Sequence, residues 1–407
     1  MNYIKRWIEP KIKETLRANP VIILTGPRQV GKSTLLEFAD FLKGWKYITL
    51  DDPDALEQAR EDSKGLLWED RPTIIDEVQR CPELLIAIKY IVDKSRRKRK
   101  FILSGSGNVS LRQSPRESLA GRATYINLTG FALRERDASL HEKGALDYIF
   151  NDQVIPNKEF KIKKEIYSDV WKGGLPNILL ASSTKIVLNR MNSYVDTYIQ
   201  RDIQDLVKIR HPQRFRTLME ILAKSTGWES VQTELSKECG EERSNVSRYI
   251  SLLKETKLLY ELKGYARKKE SAYKQSKYYW FDSGVACFLS GIYSSKDLMN
   301  PKNKGRFLEN YILQQLVSWA SLQLITPDIY YWKRKSQDFE VDFIIKNCNK
   351  TVGVEVKSAK EVSFKDTKSM REFLNSHQEA KCGIIVYSGN KVFPIASNIW
   401  AVPWFFI

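Results

Sequence analysis

Histidine and cysteine are both scarce in this chain of 407 residues, with three of the first and five of the second. His141, His211 and His377 lie far apart, so histidine-based catalysis is not expected. Cys81, Cys239, Cys287, Cys348 and Cys382 are odd in number and never spaced as C-x-x-C. That pattern argues against a disulfide framework or a zinc site and fits a reducing, cytoplasmic setting. Long apolar runs are missing too. None approaches the ~20 residues that span a bilayer, even at residues 21–24 or 400–407, so no membrane partner is expected. The opening M-N-Y-I-K-R-W-I-E-P-K alternates charge with bulk and lacks the apolar stretch of a signal peptide. Acidic residues are in deficit, with 49 Asp and Glu against 66 Lys and Arg, for a net charge of +17. An excess of this size attracts polyanions, and nucleic acid, DNA first, is the expected partner. A composition that is lysine-rich throughout, without functional meaning, is the alternative.

What is present is led by residues 21–34, V-I-I-L-T-G-P-R-Q-V-G-K-S-T. An apolar, strand-like run ends in a glycine-bracketed loop, and residues 33–42 then have the character of a helix. Gly26, Pro27, Arg28, Gln29, Val30, Gly31, Lys32, Ser33 and Thr34 spell G-x-x-x-x-G-K-[ST] with one following residue, the pattern of a loop that cradles phosphates. The glycines allow successive backbone N–H groups to point inward at the phosphates. Lys32 would place a point charge at the β- and γ-phosphates, and the Ser33 hydroxyl would complete the shell of Mg²⁺. ATP with Mg²⁺ is therefore the expected cofactor.

A second run, Thr73-Ile-Ile-Asp76-Glu77, supplies the acids that such a loop requires. Asp76 would stand on the metal side and Glu77 would act as the general base on an attacking water. A third run ends in Ser104-Gly-Ser106-Gly-Asn108. Ligands of open α/β sheets sit at the carboxyl ends of strands, so Ser106 or Asn108 is the candidate sensor of the γ-phosphate, with Ser104 nearby. In this order the motifs resemble the AAA+ ATPases. The likeness extends to Arg6, D-E-V-Q at 76–79, S-L-A-G-R at 118–122, G-G-L-P at 173–176 and Q-R-D-I at 200–203. These are similar to the prokaryotic AAA+ family that carries AAA domain 14 followed by a DUF4143 region, over almost the whole chain. The resemblance implies an arginine at the γ-phosphate, with Arg122 as candidate. An arginine acting on a neighbouring subunit implies a homo-oligomer, one acting in cis does not, and a salt-bridged arginine closing a loop is the structural alternative.

Residues 213–295 carry a helix-turn-helix pattern that resembles a winged-helix domain. Helices are expected over 215–224, 231–239 and 243–256, with a turn at Gly240. Strands are expected over 258–264 and 278–281. Across residues 265–279 Arg267, Lys268, Lys269, Lys274 and Lys277 interleave with four tyrosines, a mixture suited to nucleic acid. Arg243, Ser244, Asn245, Ser247 and Arg248 are the residues expected to meet DNA. A protein-interaction role for the same module stays open.

From residue 305 the character changes again. Two alternating runs, around Asp342 and around Glu355-Val-Lys357, put their polar residues on one face, and Glu309 joins from a preceding helix. Carboxylates gathered in this way would hold a second Mg²⁺ or Mn²⁺, and Lys357 would position a water against a phosphodiester. The order D…E-x-K resembles the PD-(D/E)xK nuclease fold, with Asp342, Glu355 and Lys357 catalytic and Glu309, Asp342 and Glu355 as metal ligands. The fold class expected overall is α/β. A P-loop AAA+ core with a helical lid would span residues 1–212, a winged-helix domain 213–297, and a nuclease-like α/β domain 298–407. The expected activity is Mg-dependent ATP hydrolysis coupled to nucleic-acid binding or processing. The alternatives are an ATP-gated DNA nuclease and a protein-interaction switch with an inactive nuclease fold.

Overall fold

Five short parallel strands carry the first part of the chain: β1 (Val21–Thr25), β2 (Lys46–Thr49), β3 (Thr73–Asp76), β4 (Phe101–Ser104) and β5 (Ala123–Asn127), in the order β2-β3-β4-β1-β5. The structure is a computed structural model and describes residues 3–105, 119–137, 143–161, 165–199, 209–266, 275–334 and 339–407. The three inner strands are buried along their whole length, which is why they read as unbroken apolar runs. The edge strands β2 and β5 are only partly covered. The helix Leu84–Lys94 buries Leu84, Leu85, Ile88 and Val92, a helical spacing, against Ile23, Ile75 and Leu103 of the sheet. Register places the functional edge. Leu24 pairs with Ser104, and Ile75 with Leu103, so Asp76, Ser104 and the last residues of β1 end side by side.

The chain divides into two compact units, residues 1–131 with 255–257, and residues 132–254 with 258–407. Residues from 132 onward, which the sequence assigns to a lid on the nucleotide core, thus cluster with the C-terminal elements.

In the second unit β6 (Lys158–Glu159) is followed by β7 (Glu229–Ser230), β8 (Leu259–Leu262) and β9 (Ser276–Trp280). The last three form an antiparallel sheet in the order β7-β9-β8. Helices Pro212–Lys224, Gln232–Cys239 and Arg243–Glu255 precede β8, and Gly240 closes the second of them in the left-handed conformation. Then come β10 (Asp328–Lys333), β11 (Glu340–Asn347), β12 (Lys350–Lys357), β13 (Ala380–Tyr387), β14 (Lys391–Ala396) and β15 (Ile399–Pro403). With β6 they make a mixed sheet in the order β10-β11-β12-β13-β15-β14-β6. The basic stretch 267–274 and the Q-R-D-I motif at 200–203 lie outside the described residues.

A buried polar seam runs along the helix Pro301–Leu322. Asn310 donates to the Trp280 carbonyl at 2.9 Å and accepts from the Trp280 N–H at 3.0 Å and from the Thr226 hydroxyl at 2.7 Å. One turn on, Gln314 accepts from the Ser283 N–H at 3.1 Å and donates to Asp282 at 3.4 Å. Asp282 caps the helix Ser283–Leu289 and also accepts the Gly174 N–H at 2.6 Å. The G-G-L-P motif is explained here. Gly173 has a φ of 69°, and a Cβ at this position would meet Asp282 Oδ1 at 2.1 Å. Buried donors left without an acceptor cost about 1–3 kcal/mol each. Asp282→Ala is expected to destabilise the second unit by about 2–4 kcal/mol, and Gly173→Ala to lower its unfolding temperature as well. Thermal unfolding followed by tryptophan fluorescence checks this, and unchanged midpoints for both variants would contradict it.

Candidate functional site

The loop after β1 is shaped by its neighbours as much as by its own residues. Gly26 has a φ of 148°, and a Cβ there would stand 2.2 Å from the Leu128 carbonyl oxygen, so only glycine fits. Gly31, in the left-handed conformation, leads into the helix Lys32–Phe38. The Lys32 ammonium donates to the carbonyls of Gly26 and Pro27, both at 2.9 Å, and is 6% exposed. Ser33 and Thr34 stand exposed on the first turn of the helix. Arg6 fixes the loop from below. Its guanidinium donates to the carbonyls of Val30 at 2.9 Å, Thr129 at 2.9 Å and Gly130 at 3.3 Å, and lies 4.6 Å from the centre of the Phe131 ring. Arg6 belongs to the family likeness by sequence, and its contacts give it a positioning role.

Asp76, 3% exposed, ends β3 with its carboxylate held on both oxygens. Ser104 Oγ donates to Oδ1 at 2.5 Å, the Glu77 N–H to Oδ1 at 3.1 Å, and the Tyr47 hydroxyl to Oδ2 at 2.8 Å. Burial, and then the Asp76 charge, push the Tyr47 phenol far above its ordinary range, so it stays a donor. Glu77 adopts the left-handed conformation, with a φ of 55° uncommon for its residue type, and accepts from Gln79. Tyr47 and Ser104 were not legible as partners of Asp76 because they come from β2 and β4, the two strands that flank β3. Strand spacing puts Asp76 roughly 10 Å from β1. A carboxylate has about four acceptor positions, and three are used here, which leaves room for one metal-bound water. The oxygen-only donor set of Ser33 and Asp76 therefore fits Mg²⁺.

Arg122 is not brought to this edge. It precedes β5, beside the start of β1, roughly 16 Å along the strands from the loop. There it makes a two-pronged ion pair with Asp93, at 2.7 and 2.9 Å, and donates to the Ala120 carbonyl. Within this chain it is the loop-closing arginine, not the γ-phosphate contact. Ser106 and Asn108 lie outside the described residues.

The second constellation does come together. The β11–β12 ladder ends at Phe343–Val354, and the Asp342 carboxylate then takes the Val356 N–H at 2.7 Å. Lys357 pairs with Glu355 at 2.6 Å, while the other Glu355 oxygen is buried without a hydrogen-bond partner. Burial, followed by the Asp342 charge, pushes the Glu355 carboxyl up to about 7, and both raise Glu309 as well. Burial likewise raises Asp342. Glu309 accepts from the Tyr279 hydroxyl and lies 3.7 Å from the ammonium of Lys277. Lys277 also pairs with Glu340. Burial opposes the charge on Lys277, but Glu309, Glu340 and Asp342 override it and hold the ammonium above its ordinary range. Among the described residues no three His, Cys, Asp or Glu side chains gather as a metal would require. Glu309, Asp342 and Glu355 thus share a field without forming a ligand set, and the donors present do not fit a divalent metal.

The Glu355 shift fixes a pH dependence. The unfolded chain releases this proton near 4.5 and the folded chain keeps it to about 7, so the folded state binds more protons in between. The stabilisation is full below the lower value and is lost as pH rises through the upper one. Relative to Glu355→Gln, wild-type stability is expected to decline between about pH 4.5 and 7. Parallel urea-midpoint profiles for the two proteins would contradict the assignment.

Residues 18–136 match the AAA domain, and residues 163–296 and 304–407 match two domains of unknown function, DUF8612 and DUF4143. Uncharacterized proteins of Mycobacterium bovis and Mycobacterium tuberculosis are each 27% identical over 399 residues, covering 97% of this chain and 82% of theirs. A Walker-type ATPase of Pyrococcus abyssi is similar over 70% of this chain and 96% of its own, at 18% identity and a TM-score of 0.44. The RuvB Holliday junction branch migration motor of Thermotoga maritima matches over 65% and 91%, at 17% identity and a TM-score of 0.26. Structural likenesses this distant carry no argument. Among the described residues no helix is long and apolar enough to cross a membrane. Residues 18–136, which carry the parallel sheet and the phosphate-loop pattern, thus match an AAA domain, and residues 304–407 match a DUF4143 domain.

Proposed function

We propose that this protein is a Mg-dependent ATPase that couples ATP binding and hydrolysis to nucleic-acid binding. The observation that carries the hydrolytic part is the row formed by Lys32, Asp76 and Ser104 at one edge of the parallel sheet. Lys32 and the backbone N–H groups of residues 26–34 would bind the phosphates, and Ser33 and Asp76 would hold Mg²⁺. When bound, Mg²⁺ supplies positive charge against the phosphate oxygens. Glu77, next to the fixed Asp76 and steadied by Gln79, would orient a water and accept its proton as the water oxygen bonds to the γ-phosphorus and the bond from that phosphorus to the departing ADP oxygen breaks. Tyr47 and Ser104 keep the Asp76 carboxylate in one orientation, so its geometry is set before substrate arrives.

Two features support the nucleic-acid part. The net charge is +17, and Arg243, Ser244 and Arg248 are exposed on the helix that follows the Gly240 turn. That helix, with two before it and the sheet β7-β9-β8 beside it, is read here as a winged-helix module whose third helix meets DNA phosphates and bases.

Lys32→Ala is expected to weaken ATP binding more than about 100-fold, since the β- and γ-phosphates lose the ammonium placed against them. Glu77→Gln is expected to keep ATP affinity within about threefold while slowing turnover by about 10²–10⁴. Calorimetry and phosphate release read the two effects separately. Wild-type turnover in Glu77→Gln would sink the base assignment.

A further inference from the structure

The acidic face of the DUF4143 domain holds a cation of its own, and it is a side chain. Lys277 belongs to β9, in the segment matched by the preceding domain, residues 163–296, and not to residues 304–407. It is 4% exposed at its side chain. Its ammonium pairs with Glu340 and stands 3.7 Å from Glu309 Oε1, and it lies 5.3 Å from the centre of the Tyr331 ring. Two residues along the same strand, and so on the same face, Tyr279 donates to that same Glu309 oxygen. Lys333 closes the outer side, 2.7 Å from Glu229 and 3.9 Å from Glu340. Lys357 occupies one oxygen of Glu355.

A divalent cation needs several oxygens turned toward one point at about 2.0–2.6 Å, with nothing positive among them. Here the oxygens of Glu309 and Glu340 turn instead toward an ammonium with three donors to share. An ammonium this deeply buried is stable only while carboxylates surround it, and the acids in turn are stable together only because it is there.

We infer that Lys277 is the resident cation of this site: it takes the place of a divalent metal, ties β9 to β11 and to the helix Pro301–Leu322, and keeps Mg²⁺ and Mn²⁺ out. The constellation that reads as a nuclease in sequence is then an ionic joint between two segments of the chain. Its cation is supplied from outside the domain that supplies its acids.

Mn²⁺ binding to the full-length protein without nucleotide, read from the electron paramagnetic resonance signal of free Mn²⁺, tests this directly. Wild type and Asp342→Asn are expected to bind equal amounts, since Asn keeps the acceptor for the Val356 N–H and no metal is held there to lose. Lys277→Met is expected to gain one site, at least about tenfold tighter than anything in wild type, that Lys277→Met/Asp342→Asn loses. Lys277→Arg, which keeps the charge, is expected to gain none. A wild-type Mn²⁺ site removed by Asp342→Asn overturns the inference, and so does a folded Lys277→Met that gains no site. Should Lys277→Met fail to fold, the comparison of wild type with Asp342→Asn decides alone.

Discussion

One buried carboxylate fixes the candidate nucleotide site. Asp76 ends an inner strand, where solvent cannot orient it, and three donors, from β2, from β4 and from the Glu77 N–H, do so instead. The requirement for those donors explains much around it. Tyr47 has to stay protonated, which burial and the Asp76 charge ensure. Ser104 has to end β4 level with Asp76, which the parallel register ensures. The phosphate loop is fixed in a complementary way, by the Leu128 carbonyl against Gly26 and by Arg6 bridging Val30 to Thr129 and Gly130. Both halves of the site are therefore preorganised by groups that would not touch the nucleotide, which is where an electrostatic catalyst gains most of its advantage.

The second unit solves a different problem, the burial of several acids. Asp282 and the Asn310–Gln314 seam are satisfied by backbone donors and amides, a neutral solution. Glu309, Glu340, Asp342 and Glu355 need positive charge, and Lys277 and Lys357 provide it. Paired in this way, buried charges mainly fix which surfaces meet, because losing one partner leaves the other exposed to the full desolvation penalty. The acids of residues 304–407 and the lysine of β9 thus depend on each other.

The sequence showed the nucleotide half most clearly. The glycine spacing, Lys32 and the D-E strand are local patterns, and each maps onto the structure where it was read. The helices around Gly240 and the alternation about Asp342 and Glu355 were legible for the same reason. What was not legible depends on contacts between distant segments. Arg122 looked free to reach a phosphate because Asp93, 29 residues earlier, is invisible to a motif. The D…E-x-K pattern gave no sign of Lys277, which lies 63 residues before Glu340 and carries no signature of its own. Period-2 alternation found the face, but it could not show that Lys277 pairs with Glu340 there.

Release of phosphate from ATP by the purified 407-residue chain, with Mg²⁺ or with excess EDTA and with or without duplex DNA, tests the central claim most directly. The account predicts release that requires Mg²⁺ and rises with DNA, the DNA effect fading as salt screens the phosphate contacts. Tight binding of ATP with no phosphate released under any of these conditions would contradict it.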